Sequence, residues 1–426
     1  MALPGPITAG TGQSTAANRP LLYLVVAVFF LFGGITNLND VLIPKLKGLF
    51  ALSYTEAMLV QFAFFTSYAI FSIPAGLVMK RLGYFRGIVL GFGIMASACL
   101  LFLPAAYSGL YGSFLAALFL LGAGITLLQV AVNPLILSLG PPETAHSRLT
   151  FAQFFNSVGV FLMVRYGAEV ILGEEGMRDP AGLTGDELTS YRVAESSVIG
   201  HAYIGLAIVL TIIALFFWTR RRVLDRQRAE GVAFAGTFAL LRRPRLAFGV
   251  LCIFVYVGAE VGIASIMVSY LGEARTLALS PVAAGILLSY YWLGALVGRM
   301  VGGFLLRLTR PGYLLSAFAA LAATLCIASG LGTGAVAAYA LVAVGFANSI
   351  MFPTIFSLAT EGLQQEAPQA SGLLCTAIVG GAIIPVVIGV VADAHGLVAA
   401  LAVPVLCYAV IGTFGILAAR GKAAAA

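Results

Sequence analysis

Long apolar runs recur along this chain, about twelve of them, and no water-soluble fold needs that pattern so often. They lie at 21–44, 57–79, 87–106, 111–139, 149–172, 199–219, 246–271, 282–306, 313–331, 335–360, 370–392 and 397–419. Roughly twenty such residues cross a ~30 Å hydrocarbon core as a helix. The runs are continuous rather than alternating, which excludes a membrane β-barrel. A chain that spans lipid without closing a barrel must be helical, because each backbone N–H and C=O needs a partner within its own segment. Composition agrees: 61% of residues are apolar and 10% charged, where water-soluble domains carry about 25% charge. The expected fold class is an all-α integral membrane protein with twelve transmembrane helices.

Charge placement sets the expected orientation. With twelve spans, alternate loops share a side. One side holds Arg19, Lys80, Arg81, Arg86, Arg148, the eight arginines between 220 and 245, Arg307, Arg310, Arg420 and Lys422, which is 17 of the 24 basic residues. The other holds Lys45, Lys47, Arg178, Arg192 and Arg275. The positive-inside rule makes the basic side cytoplasmic and puts both termini there, in a cytoplasmic membrane crossed many times. The net charge of +7 is therefore topological, and with no basic face on a folded module it does not point to nucleic acid. The first twenty residues are rich in Pro, Gly, Thr, Ser and Asn, so no cleavable signal is expected and the first run serves as the insertion signal. Cys99, Cys252, Cys326, Cys375 and Cys407 all fall in apolar runs without metal-like spacing and read as packing residues.

The arginine-rich stretch 220–245 divides the chain six plus six. The expected organisation is a cytoplasmic tail over 1–20, a six-helix bundle over 21–219, a cytoplasmic linker over 220–245, a second bundle over 246–419 and a tail over 420–426. The acidic stretch 173–198 reads as a surface loop with little chemistry. The halves repeat. Ser53-Tyr-Thr-Glu-Ala57 and Ser280-Pro-Val-Ala-Ala284 each open a span, followed at equal distances by Gly76 and Gly303, then by Lys80 and Arg307. Pro134-Leu-Ile-Leu-Ser-Leu139 matches Pro353-Thr-Ile-Phe-Ser-Leu358, with an amide five residues earlier in each half, Gln129 and Asn348. Repeats of this kind mark carriers whose two pseudo-symmetric halves rock about a central site.

Several segments carry a more specific likeness. The first span reads Asn37-Leu-Asn-Asp40-Val-Leu-Ile-Pro44, the fourth Gln129-Val-Ala-Val-Asn133-Pro134, and the fifth opens Arg148-Leu-Thr-Phe-Ala-Gln153-Phe-Phe-Asn156-Ser157. The seventh holds Tyr256-Val-Gly-Ala-Glu260, the eighth Gly298-Arg299, the tenth Phe352-Pro-Thr-Ile-Phe-Ser357 and the eleventh Gly380-Gly-Ala-Ile-Ile-Pro385. In this order, over nearly the whole chain, they resemble the fucose permease and glucose/galactose permease branch of the major facilitator superfamily. Gly76 to Gly83 also looks like the superfamily's loop between spans two and three, with Lys80 at its usual acidic position and Arg81 beside it. The resemblance implies the major facilitator fold and a proton-coupled monosaccharide symporter. It also implies two acids for coupling and binding. One corresponds to Asp40, but the other falls on Gln129, which cannot titrate, so the chain departs from the two-acid pattern there.

The residues themselves suit a neutral sugar, whose hydroxyls both donate and accept. Asn37, Gln129, Asn133, Gln153, Asn156 and Asn348 are amides in apolar runs, and an amide offers both functions. Gln129 with Asn133, and Gln153 with Asn156 and Ser157, share helix faces. Such amides either bind solute at a wet centre or bond helices together. Tyr256, Tyr290, Tyr291, Trp292 and Phe352 offer rings for a sugar's C–H face, Trp292 foremost because it lies mid-span. Asp40 is either a proton acceptor or a helix-end acid, and Glu260 binds hydroxyls, titrates, or pairs with Arg299. Arg299 reads as a gate or structural residue near the basic side, in a set with Arg81, Arg148, Arg165 and Glu169. Arg165 and Glu169 can pair at i,i+4, either fixing a conformation or with Arg165 snorkelling outward.

No Gly-x4-Gly-Lys-Ser/Thr loop is present, which argues against a nucleotide-driven pump, and His146, His201 and His395 are too scattered for a metal or nucleophile. The expected function is alternating-access symport of a proton with a hexose or 6-deoxyhexose such as glucose, galactose, mannose or fucose. The carrier is not an enzyme, uses no cofactor and works as a monomer. A sodium-driven or facilitative sugar carrier is the alternative, and an effluxer of amphipathic compounds a third.

Overall fold

The computed structural model describes residues 19–139, 145–172, 184–224, 237–363 and 367–423, and the regular structure among them is helical. The first half holds α1 (Arg19–Asn37), α2 (Asn39–Phe50), α3 (Tyr54–Leu82), α4 (Tyr84–Ser108), α5 (Tyr111–Ser138), α6 (Ala145–Leu172) and α7 (Gly185–Leu224). The second holds α8 (Pro244–Leu271), α9 (Pro281–Leu308), α10 (Pro311–Leu331), α11 (Gly334–Asn348), α12 (Met351–Thr360), α13 (Ala367–Thr376), α14 (Gly380–His395), α15 (Leu397–Ala400) and α16 (Ala402–Ala423). Among the described residues, eleven segments are long and apolar enough to cross a membrane, and α3, 29 residues long, makes the twelfth span.

Four spans expected as single runs are broken. The first parts at Leu38 into α1 and α2, the tenth at Ser349–Ile350 into α11 and α12, the eleventh at a 3-10 turn over Ala377–Val379, and the twelfth at Leu401 into α15 and α16. Pro44 and Pro353 follow the first two breaks within α2 and α12, where a missing N–H and a bulky ring weaken a continuous ladder. A second correction concerns 173–198. Helix α7 already begins at Gly185, so 185–198 is helix rather than loop, while 173–183 lie outside the described residues. Likewise α7 runs on to Leu224 and Thr237–Arg242 forms a 3-10 turn, so the stretch 220–245 is partly helical, with 225–236 outside the described residues.

The repeated sequence motifs are repeated helix starts. Ser53 caps α3, accepting from Glu56 N–H at 3.1 Å while the Glu56 carboxylate accepts from Ser53 N–H at 2.8 Å, a reciprocal box. Ser280 caps α9, accepting from Ala283 N–H at 3.3 Å. Two residues before each cap, Ala51 and Ala278 adopt positive φ of 52° and 47° to turn the chain back. Packing repeats as well. Gly159 of α6 sits against the Phe30 carbonyl of α1, and Gly380 of α14 against the Phe254 carbonyl of α8. In both halves the first and fifth spans thus meet backbone to backbone, an approach that small residues permit between membrane helices.

The halves meet along α3 with α14 and α6 with α9, and α2 also reaches α8. The five cysteines are free, and all but the half-buried Cys375 are buried.

Candidate functional site

The break in the first span places polar groups where lipid-facing helices carry none. Asn39 and Asp40 open α2, and their exposures are 0% and 2%. Asp40 Oδ1 accepts a hydrogen bond from Gln61 Nε2 of α3 at 3.1 Å. The same Gln61 nitrogen donates to Ser265 Oγ of α8 at 2.9 Å, across the two halves. Asp40 Oδ2, Gln61 Oε1 and the indole N–H of Trp292 in α9 are buried without partners among the described residues. Trp292 is close enough for its N–H to act on the Asp40 carboxyl, though outside hydrogen-bond geometry, and Glu260 of α8 acts on it by charge. Counting 1.5 Å per residue from the nearer helix ends, Asp40, Gln61, Ser265 and Trp292 lie about 9–17 Å below the side opposite the basic loops.

A second group adjoins this one in the other half. Tyr256 donates to Glu260 Oε1 at 2.7 Å and to the Asn348 carbonyl at 3.2 Å. Asn348 Nδ2 donates to the Tyr291 hydroxyl at 2.8 Å, which in turn donates to the Glu260 carbonyl at 3.2 Å. Asn348 ends α11, so the break in the tenth span positions this amide as the break in the first positions Asp40. Tyr291 and Trp292 meet edge to face at 5.0 Å, and Phe352 packs on Tyr256 with centroids 6.3 Å apart. Neither the second Glu260 carboxylate oxygen nor Asn348 Oδ1 has a partner among the described residues. These are the acceptors a hydroxyl-rich solute needs.

Asp40, Glu260, Tyr256, Trp292 and Asn348 are thus drawn together across the halves. The remaining amides sit apart. Gln129 donates to the Tyr68 hydroxyl at 2.9 Å, bonding α5 to α3, and Asn156 donates to the Phe29 carbonyl at 3.0 Å, bonding α6 to α1. Both make helix-to-helix bonds here, as such amides commonly do in membranes. Asn37 donates to the Gly33 carbonyl of its own helix at 2.9 Å. Gln153 is half-buried, and no hydrogen bond of its side chain occurs among the described residues. The side chains of Asn133 and Arg148 lie outside the described residues.

The arginines divide in the same way. Arg299 of α9 forms no ion pair with Glu260; its guanidinium meets the Ser157 hydroxyl of α6, again across the halves, while its charge acts on Glu260. Arg165 pairs with Glu169 along α6 at a partly exposed surface, with its guanidinium 5.9 Å from the Tyr166 ring centroid, so the pair is not buried. Arg81 is exposed at the end of α3.

Five features were missed by reading the sequence. Gln61 is an amide in an apolar run, the criterion that picked out six others, and should have been counted with them. Asn39, within the run 21–44, meets the same criterion, whereas Ser265 carries no such signal. Lys45, 2% exposed, pairs with Glu195 of α7 at 2.5 Å, which gives the supposed loop acid a buried partner. Asp393, near the end of α14, accepts from the Tyr54 and Thr55 N–H groups at 2.6 and 2.8 Å and from the Thr55 hydroxyl at 2.5 Å. These are first-turn N–H groups of α3, unsatisfied by the helix itself, and a carboxylate there also meets the helix dipole. The contact ties the halves at the side opposite the basic loops. Discounted for exposure, it contributes about 1 kcal/mol. Asp393→Asn therefore raises the ratio of carriers open on that side to those closed roughly fivefold. Distances between spin labels on the two halves measure this, and an unchanged distribution excludes the contact as a latch.

Residues 24–385 match the family model described as Major Facilitator Superfamily. The chain is 41% identical over 394 residues to a glucose/galactose transporter of Brucella abortus, covering 92% of each chain. It is 35% identical over 416 residues to the L-fucose-proton symporter of Escherichia coli, covering 95% of this chain and 94% of that one. A crystal structure of the major facilitator superfamily transporter FucP in its outward conformation overlays with a TM-score of 0.72 at 31% identity, over 94% of this chain and 99% of that one. These relatives fall in the branch to which the motif resemblance pointed.

Proposed function

Since this chain belongs to the major facilitator superfamily, we propose that it is a proton-coupled monosaccharide symporter of the bacterial inner membrane, carrying a hexose of the glucose and galactose type. The basic side faces the cytoplasm and both termini lie there, following the positive-inside rule. The side opposite is then the outer one.

The observation that carries the reading is the Asp40 carboxyl. It is buried at a helix break, has one oxygen without a partner among the described residues, and faces Trp292 and Glu260 of the other half. Ionisable groups at membrane depth mark ion pathways. An acid seated between halves that move against one another changes surroundings with each cycle, which is what a proton carrier requires. Asp40 takes up and releases the proton. Glu260, oriented by Tyr256, accepts sugar hydroxyls through its second oxygen, while Asn348 Oδ1 adds an acceptor and the Trp292 ring a face for the sugar's C–H groups. Gln129, Gln153 and Asn156 lie toward the basic side and shape the inner approach. Contacts between the halves at the outer end, with Asp393 on α3 and Gln61 on Ser265, support an outer side that is closed in this conformation.

One proton moving through 100 mV supplies about 2.3 kcal/mol. That sustains a sugar gradient of roughly 50-fold. The test is accumulation of radiolabelled glucose or galactose in proteoliposomes holding an inward proton gradient without sodium. Uptake above equilibrium that collapses with a protonophore is expected. Uptake driven only by sodium, or none beyond equilibration, contradicts the proposal.

A further inference from the structure

We infer that Gln61 is a positioning residue that links the protonation of Asp40 to closure of the outer side, through its shared hydrogen bonds to Asp40 and Ser265. The inference rests on the reading of Asp40 as the proton carrier.

One amide nitrogen serves both partners. It donates to Asp40 Oδ1 at 3.1 Å within its own half and to Ser265 Oγ at 2.9 Å in the other. Both of its hydrogens are engaged only while the halves are together at this depth. Ser265 is itself held, donating to the Val261 carbonyl at 2.8 Å, so it cannot follow Gln61 when α8 moves away. Opening the outer side must therefore break the Gln61–Ser265 bond and take Trp292 and Glu260 away from Asp40. The amide left behind has only Asp40 to serve. Its Oε1, without a partner among the described residues and on the same amide as the nitrogen bound to Asp40, adds to this, because a protonated carboxyl can donate to an amide oxygen and a carboxylate cannot. Proton occupancy and closure thus act on one another through the same side chain, and such coupling is reciprocal.

Other charged groups near Asp40 do not replace this link. Glu260 and the Tyr291 hydroxyl face it from α8 and α9, and Arg299 stands behind Glu260. Lys45 on its own helix is paired with Glu195 of α7, Arg165 and Glu169 pair with each other on α6, and Glu56 caps the start of α3. None of these makes a hydrogen bond that joins Asp40 to the other half.

The test places spin labels at Leu110→Cys and Leu331→Cys, exposed at the outer ends of the two halves, and reads their distance in acidic and alkaline buffer. In the otherwise unaltered protein the open fraction changes with pH. Gln61→Leu is expected to raise the open fraction several-fold and to flatten its pH dependence, as Asp40→Asn does. Ser265→Ala, a smaller change that guards against misfolding, is expected to act in the same direction. A pH response in Gln61→Leu and Ser265→Ala equal to that of the parent overturns the inference, even if the parent accumulates sugar with protons. Conversely, a parent that does not accumulate sugar with protons, yet loses its pH response in these variants, keeps the link and removes the transport reading.

Discussion

Asp40→Asn abolishes accumulation of sugar against its gradient while sugar exchange across the membrane persists. Asparagine keeps the size of the side chain and an oxygen that can accept from Gln61 at the Oδ1 position, so the contact at 3.1 Å survives. What disappears is the group that can bind and lose a proton. Exchange needs the halves to rock with sugar aboard and needs no net proton movement. Accumulation needs a proton released on the inner side in each cycle. The expected loss is the whole gradient, from roughly 50-fold at 100 mV to equilibration. Parallel counterflow and proton-driven uptake assays on the same proteoliposomes check this. Accumulation equal to the parent's removes Asp40 from the mechanism.

Glu260→Gln weakens sugar binding about tenfold or more. A hydrogen bond to an ionised group contributes roughly 1.5–3 kcal/mol, about twice a neutral one, so losing the charge forfeits much of that difference. The Tyr256 hydroxyl that orients the carboxylate at 2.7 Å can still donate to the amide oxygen or to the Asn348 carbonyl, so the surrounding helices stay in place. Glu260→Ala goes further, leaving Tyr256 with the Asn348 carbonyl alone. Titration calorimetry with glucose and galactose, beside thermal unfolding of each variant, separates lost binding from lost stability. An unchanged dissociation constant in Glu260→Gln excludes this side chain as a sugar ligand.

The spans and the twofold plan are legible in the chain because both are local matters. Apolar length marks a membrane helix, and the Ser53 and Ser280 motifs are helix caps whose partners lie three residues away. The site is legible only in part. Asp40, Glu260, Tyr256, Trp292 and Asn348 stand out as polar or ring-bearing residues in apolar runs, and they converge. Gln129 and Asn156 stand out by the same criterion but make their bonds to neighbouring helices, since an amide's sequence position does not record which way it faces. The partner of Gln61 in the other half, Ser265, lies 204 residues away, and the donors to Asp393 lie 338 and 339 residues away. Contacts at that separation follow from how two bundles dock and leave no periodicity to read. The stretch from Gly185 was misread because acidic residues outside the hydrocarbon look like loop, whereas α7, 40 residues long, extends beyond the bilayer and pairs Glu195 with Lys45.

Proton coupling at Asp40, between halves that open alternately, is tested most directly by electrical recording from proteoliposomes on a solid-supported membrane. In sodium-free buffer without a pH gradient, adding glucose or galactose is predicted to evoke a transient current carrying positive charge inward in the parent, and none of comparable size in Asp40→Asn. A parent that transports labelled sugar under the same conditions without any current, or an Asp40→Asn carrier whose current matches the parent's, would contradict the account.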